Sequence, residues 1–109
     1  MRILKAKKPR ESKIEAYFVE QVEALGGKAS KFVSPGEVSQ PDRIVAFRGE
    51  GVFLVEVKRP GGKPRSAKQV AKATEWEHHG VQVFCVATKP DVDRLLKGRG
   101  WGYGLGSLA

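Results

Sequence analysis

Two charged residues stand inside the apolar segment FLVEVKRP, residues 53–60. Glu56 and Lys58 are two residues apart, so in a strand their side chains share a face, roughly 6.5 to 7 Å apart along it. Burying an unpaired carboxylate or ammonium group is costly. Either this segment is an edge strand with solvated charges, or the charges are kept there for chemistry.

A third charged residue, Asp42, begins the preceding apolar segment DRIVAF. The glycine-containing loop 48–51 between the two segments predicts a hairpin, which brings Asp42 to the strand end that carries Glu56 and Lys58. Two carboxylates at one place repel unless a cation joins them, and Mg²⁺ binds carboxylate oxygens and phosphate. This pattern suggests metal-assisted attack on a phosphodiester, with Lys58 orienting the attacking water or stabilising charge on phosphorus.

The charge balance favours a polyanionic partner. Twenty Lys and Arg against twelve Asp and Glu give the 109-residue chain a formal net charge of +8. A basic protein without such a partner is the alternative, and charge alone does not tell whether nucleic acid is cut or held. With one cysteine and no apolar run for a membrane span or a signal peptide, we expect a single domain in the cytoplasm of a bacterium or phage-infected cell, with no membrane partner.

The apolar spacing predicts a helix from Glu11 that ends at Gly26-Gly27, with Glu15 at the edge of its apolar stripe. From this helix alone, a solvated flank position for Glu15 is slightly favoured. The other predicted elements are a strand over 28–33, hairpin strands over 42–47 and 52–58, a helix from the cap Ser66 to His79, a strand over 81–87 and a short helix after Pro90. This order predicts an α/β domain with helices packed on a mixed sheet.

Three further features complete this prediction. A basic arm, residues 1–10, precedes the domain, and a glycine-rich tail, residues 98–109, follows it. The nearly all-apolar segment 81–87 is typical of a strand covered on both faces, which places Cys85 in the core.

Pro41-Asp42 followed by Glu56-Val57-Lys58 resembles the signature of the PD-(D/E)xK nucleases, which have the αβββαβ order predicted above. The sequence is more specifically similar to the VRR-NUC (virus-type replication-repair nuclease) family, in particular its small stand-alone phage and bacterial members. The segments that carry this resemblance are ESKIE, LGG, KFVSPG, PDRIV, EVKRPGGK and Ser66-x-x-Gln69. They span about residues 11 to 90, and we expect one nuclease domain over residues 11–97.

The resemblance implies a restriction-endonuclease-like core and a Mg²⁺- or Mn²⁺-dependent endonuclease that cuts branched DNA, such as Holliday junctions, as a homodimer. The site residues that it implies are metal ligands Asp42, Glu56 and the backbone carbonyl of Val57, with Glu15 as a further ligand, directly or through water, the catalytic lysine Lys58, and Gln69. Helical spacing places Gln69 on one face with Ala73 and Trp76, so it can face inward. The segment 37–40 departs from the basic, glycine-containing stretch expected of the family, which leaves substrate preference open.

Basic residues around this core are candidate DNA contacts, with a solvated surface as the alternative. They are Lys31, Arg43, Arg59, Lys63, Arg65, Lys68 and Lys72. A non-catalytic, structure-selective DNA-binding module is the second function class. The presence of all three carboxylates and of Lys58 favours the enzyme.

Other chemistry-bearing residues give weaker signals. Glu75 and His79 are four apart on a predicted helix, a spacing that suits zinc, but no third ligand follows at a typical spacing. Histidines in a last helical turn are more simply explained by the helix dipole. Trp76 is expected in the core or an interface, and Trp101 and Tyr103 are candidates for base stacking or for tail contacts.

Overall fold

A computed structural model describes residues 11–33, 36 and 40–100. The basic arm, positions 34, 35 and 37–39, and residues 101–109 lie outside the described residues. The predictions for Trp101 and Tyr103 therefore lie outside them too.

The elements follow the predicted order. They are α1 (Glu11–Ala24), β1 (Lys28–Lys31), β2 (Arg43–Phe47), β3 (Gly51–Val57), α2 (Ala67–His78), β4 (Val83–Val86) and α3 (Lys89–Leu96). Strands β1 to β3 pair antiparallel in sequence order, and β4 pairs parallel with β3. The predicted mixed sheet is confirmed; β3 keeps its predicted length and begins one residue earlier, and the other three strands are one or more residues shorter than predicted.

Alternation along β3 separates the core into two layers. Phe53, Val55 and Val57 face the layer built from the apolar stripe of α1 and from α3. Leu54 faces the opposite layer, where Ala73 of α2 and Val83 of β4 pack against it. Because both faces are covered, residues 53–57 are all buried, and this includes Glu56.

The end of α1 is fixed by two glycines. Gly26 has φ of +86°, a conformation that only glycine adopts without strain, and it ends the helix as predicted. The next residue, Gly27, lies flat against the ring of Phe47 in β2: a Cβ atom at this position would stand 2.5 Å from a ring carbon. This contact joins α1 to the sheet and so helps to hold Glu15 at its position.

The capping of α2 also follows the prediction. The Ser66 side chain accepts from the Gln69 backbone N–H, and the Gln69 side chain accepts from the Ser66 backbone N–H. This reciprocal pair is a capping box, which stabilises the first turn of a helix.

The prediction that Cys85 is a core residue in a strand covered on both faces is wrong. Its side chain is exposed, and β4 is an edge strand of the sheet. The face that Val83 and Cys85 share is covered by α2 at Val83, and this cover does not extend to Cys85. An apolar sequence thus does not distinguish a covered strand from an edge strand.

None of the helices among the described residues is long and apolar enough to cross a bilayer.

We expect Gly27→Ala to destabilise the fold by roughly 1–3 kcal/mol, because the added methyl group overpacks the Phe47 ring. Chemical denaturation measures this loss. Phe47→Leu also destabilises on its own, but the double variant should lose less than the sum of the two single losses. Additive losses would show that the contact between Gly27 and Phe47 is not the cause.

Candidate active site at the end of strand β3

The hairpin register places Asp42 and Glu56 opposite each other. Arg43, the first residue of β2, pairs with Val55 of β3. Asp42 comes just before Arg43, so it lies opposite Glu56, the residue after Val55. Asp42 is held there by its backbone N–H, which donates to the Val55 carbonyl at 3.0 Å. Its carboxylate accepts from the Val57 backbone N–H at 2.7 Å. The sequence prediction that Asp42 lies at the Glu56 end of the hairpin agrees with this geometry.

Glu56 is the only charged side chain in the core among the described residues, with 1% of its surface exposed. Its Oε1 accepts from Arg65 Nε at 2.7 Å. Its Oε2 is buried and has no hydrogen-bond partner, and neither has the buried Nη2 of Arg65. A buried carboxylate oxygen without a partner is rare in folded proteins.

Lys58 projects from the same end of β3, two residues after Glu56. Its backbone N–H donates to the Val86 carbonyl at 2.8 Å and so continues the parallel ladder with β4. Its ammonium group donates to Oε1 of Gln69 at 2.9 Å, the oxygen that also accepts from the Ser66 backbone. The capping box of α2 therefore orients Lys58. Gln69 faces inward as predicted, and its contact is with the lysine.

Glu15 is half-buried and not a freely solvated flank residue. It accepts from Arg43 Nε at 2.7 Å, and Arg43 also donates to the Ala29 carbonyl at 3.2 Å. Helix α1 thus brings Glu15 to the edge of the hairpin, within electrostatic reach of Asp42.

The pKa of Asp42 is raised above its ordinary value. The main cause is the loss of solvent around its carboxyl group, and the Glu15 carboxylate raises the pKa further. The Val57 N–H and the ammonium groups of Lys58 and Lys31 oppose this shift. The residue as a whole is exposed, but its carboxyl group is turned toward β3 and accepts from the Val57 N–H. The carboxyl group can therefore lose part of its solvent while the rest of Asp42 stays exposed.

The residues fit a divalent metal ion in their chemistry, although they do not form a closed cage. Within the described ranges, no group of three His, Cys, Asp or Glu side chains is arranged to hold a metal. Two of the three predicted carboxylates, Glu15 and Glu56, are each held by an arginine. The donors are nevertheless those that Mg²⁺ prefers, and Glu56 Oε2 is an unpaired carboxylate oxygen at this position.

The predicted DNA contacts fall into two groups. Arg59, Lys63, Lys31 and Lys68 are exposed. Arg43, Arg65 and Lys72 instead contact carboxylates, the last of these Glu75 at 3.3 Å. The first two of these ion pairs could not be predicted from sequence, because their partners are 28 and 9 residues apart and leave no periodic signal.

A cleft of about 550 Å³ opens beside Lys58. It is lined by the start of α1, Lys58 and the loop that follows β3, namely Glu11, Ser12, Lys58, Arg59, Gly62 and Lys63. Three cationic side chains face one carboxylate in this cleft, which suits a phosphate backbone.

The zinc alternative is not supported within the described residues. Nδ1 of His79 lies 2.9 Å from the backbone carbonyl of Glu75, so the imidazole contacts the end of the helix and not the Glu75 side chain. Trp76 is half-buried, packs edge-on against Phe32 and donates to Gln40 at 3.0 Å, as expected of a residue that borders the core.

A solved structure described as a VRR_NUC domain matches this chain with a TM-score of 0.72 at 30% identity. The match covers 80% of this chain and 94% of that one. The chain belongs to the VRR-NUC domain family. The predicted family and α/β fold class are thereby confirmed.

A phage relative agrees with this assignment. The p44 protein of Acyrthosiphon pisum secondary endosymbiont phage 1, named as a candidate nuclease, is 49% identical over 55 residues. The match covers 50% of this VRR-NUC chain and 59% of the phage protein, so the chain spans about three fifths of that relative's length. No protein-family model matches the sequence.

We expect Asp42→Asn to stabilise the metal-free VRR-NUC domain at pH 8 by up to about 1 kcal/mol, a bound set by solvent screening. Because the folded-state pKa of Asp42 lies above the unfolded value, its ionised form opposes folding at neutral pH. This penalty disappears as pH falls through the folded pKa and below the unfolded one. Urea denaturation in a chelator at pH 8 and in acid measures both effects.

Glu23→Gln, on the exposed side of α1, is the matched control for this experiment and should change stability little at either pH. An Asp42→Asn variant that is less stable than the wild type at pH 8 would contradict the electrostatic reading of this carboxylate.

Proposed function

We propose that this VRR-NUC domain is a Mg²⁺- or Mn²⁺-dependent DNA endonuclease that cuts branched DNA and acts as a homodimer. The observation that carries this proposal is the buried carboxylate of Glu56 with one unpaired oxygen, two residues before Lys58. The ammonium group of Lys58 is oriented by Gln69, and Lys58 lines the cationic cleft. Family membership and the phage relative named as a candidate nuclease support the nuclease part of this proposal.

Asp42 and Glu56 are the side chains that would hold the metal, together with the backbone carbonyl of Val57. A bound divalent cation supplies Lewis-acid stabilisation of the phosphate and lowers the pKa of water. Asp42 is fixed for this role by its hydrogen bond from Val57 N–H, and Glu56 is fixed by its position inside β3. Glu15, on α1, would complete the acidic cluster, directly or through a water molecule.

Lys58 would orient the attacking water or stabilise the charge that develops on phosphorus. Its ammonium group is already held by Gln69, which is itself held by the Ser66 backbone. Gln69 therefore acts as a positioning residue through Lys58. A hydrogen-bond donor that is already oriented, as the Lys58 ammonium group is, needs no reorganisation during the reaction. Such a donor stabilises a transition state more than a ground state.

The DNA backbone would run along the cleft beside Lys58. Arg59 and Lys63 would contact phosphates there, and the exposed Lys31 and Lys68 would extend this surface. The preference for branched DNA and the homodimer follow the resemblance to small stand-alone VRR-NUC proteins. Two symmetric copies would nick the two strands of a junction at equivalent positions.

The experiment that tests this function is a cleavage panel of linear duplex, flap, splayed arm and four-way junction, each with Mg²⁺, Mn²⁺ or a chelator. We expect metal-dependent cutting with symmetric paired nicks in the junction. A protein that binds the junction tightly and cuts none of these substrates with either metal would be the non-catalytic binding module instead.

Lys58→Ala and Glu56→Gln should each lower the cleavage rate by about 10²-fold or more while DNA binding is retained, because Lys58 would stabilise the reacting phosphate and Glu56 would hold the metal ion. Single-turnover cleavage and a binding assay in a chelator separate the two effects. Lys97→Ala, an exposed change at the end of α3, is the control and should leave both unchanged. Wild-type cleavage by either active-site variant would remove that residue from the chemistry.

The double variant Arg59→Ala/Lys63→Ala should weaken DNA binding and flatten its salt dependence. Each lost phosphate contact lowers the slope of log K against log salt by roughly 0.7 to 0.9. Arg48→Ala/Lys97→Ala removes the same charge from positions outside the cleft and should keep the wild-type slope. Equal slopes in the wild type and in the cleft variant would show that DNA does not follow this cleft.

A further inference from the structure

The buried carboxylate of Glu56 needs a positive partner inside the fold. Its carboxylate is almost completely buried near the end of β3, a strand covered by an apolar layer on each face. An uncompensated charge in such a position is strongly destabilising. In the structure the partner is Arg65, at 2.7 Å.

The contact between these two residues is incomplete. An arginine that binds a carboxylate side-on ordinarily donates two parallel hydrogen bonds, which makes the pair strong. Here one bond is formed, and both remaining atoms, Glu56 Oε2 and Arg65 Nη2, are buried without a partner. A pair held by one bond is easier to break than a bidentate one.

The two partners differ in how firmly the fold holds them. Glu56 is fixed in β3, where it pairs with Cys85 of β4. Arg65 lies in the irregular segment 62–66 between β3 and α2, and its side chain is 30% exposed. The guanidinium can therefore leave without loss of a strand or helix, whereas the carboxylate cannot.

We propose that Arg65 is an exchangeable counter-ion: it neutralises Glu56 in the metal-free protein, and a divalent cation binds Glu56 by displacing it. This inference rests on the proposed function, because it assigns Glu56 to a metal. Two cations beside one small carboxylate repel each other, so a bound metal ion would weaken the contact with the guanidinium and favour its release. The displaced guanidinium then faces the solvent side of the site, where a phosphate can accept its hydrogen bonds.

The pair between Glu15 and Arg43 does not show the same signs. Arg43 has a second contact with the Ala29 carbonyl, and no atom of either side chain is buried without a partner. The inference is therefore confined to Arg65.

The test measures Mn²⁺ and Mg²⁺ binding without DNA, by calorimetry and by thermal unfolding. In a chelator, Arg65→Gln should unfold at a lower temperature than the wild type, because Glu56 has lost its partner. With metal, the variant should bind about fivefold more tightly, the change expected when a competing ion pair of ordinary strength is removed. Its melting temperature should consequently rise more on metal addition than that of the wild type.

Lys68→Gln is the matched control, since it removes one positive charge three residues away from a side chain with no described contact to Glu56. A general electrostatic effect would tighten metal binding equally in both variants, and that result would overturn the exchange. Arg65→Lys keeps a cation without the guanidinium contact, so it should bind metal with an affinity between those of the wild type and Arg65→Gln. It also serves if Arg65→Gln does not fold in the chelator.

Metal binding in Arg65→Gln that is equal to or weaker than in the wild type contradicts the proposal, and so does metal binding that survives Glu56→Gln unchanged. The outcome is separate from that of the nuclease proposal. A wild type that cuts DNA while Arg65→Gln binds metal no more tightly refutes the exchange alone. A wild type that cuts no DNA while Arg65→Gln binds metal more tightly refutes the nuclease function alone.

Discussion

The burial of one carboxylate governs the chemistry of this domain. Strand β3 is covered on both faces, and its alternation directs Glu56 into the layer that Leu54 shares with α2. An apolar residue at this position would pack without any need for a cation. Retaining a carboxylate there lowers the stability of the fold unless a cation is bound, which is the pattern expected where a residue serves function at the expense of stability.

The neighbouring secondary-structure elements position the other charged groups of the site. The hairpin register places Asp42 opposite Glu56, and the hydrogen bond from Val57 holds its carboxylate. The capping box that begins α2 also orients the ammonium group of Lys58 through Gln69. The same hydrogen bonds that stabilise local structure thus hold these groups in place, and in the proposed reaction they would need little reorganisation.

Much of this arrangement could be predicted from sequence because it depends on local patterns. The alternation of side chains predicts β3, the loop at 48–51 predicts its hairpin, and the cap at Ser66 predicts the start of α2. These elements determine where Asp42, Glu56 and Lys58 lie. Cys85 was wrongly predicted because its exposure depends on which strand forms the sheet edge and on how far α2 extends over it. An apolar segment carries no information about either.

The two arginine contacts were missed for a related reason. Arg43 and Arg65 have long side chains whose partners are set by the three-dimensional proximity of α1 and of the segment before α2. Their charge predicted a phosphate contact, and both residues instead contact carboxylates of the site. In this basic domain, an arginine close to carboxylates pairs with them, so its charge alone does not predict a nucleic-acid contact.

Paramagnetic Mn²⁺ locates its own binding site, because it broadens the amide resonances of nearby residues. Titration of Mn²⁺ into the metal-free domain should broaden the amides of Asp42, Val57 and Lys58 at the lowest concentrations, and should leave that of Gly49 at the opposite end of the hairpin sharp. Glu56→Gln should abolish this effect. Broadening that is absent, or that centres on Glu75 and His79, would show that the end of β3 is not a metal site.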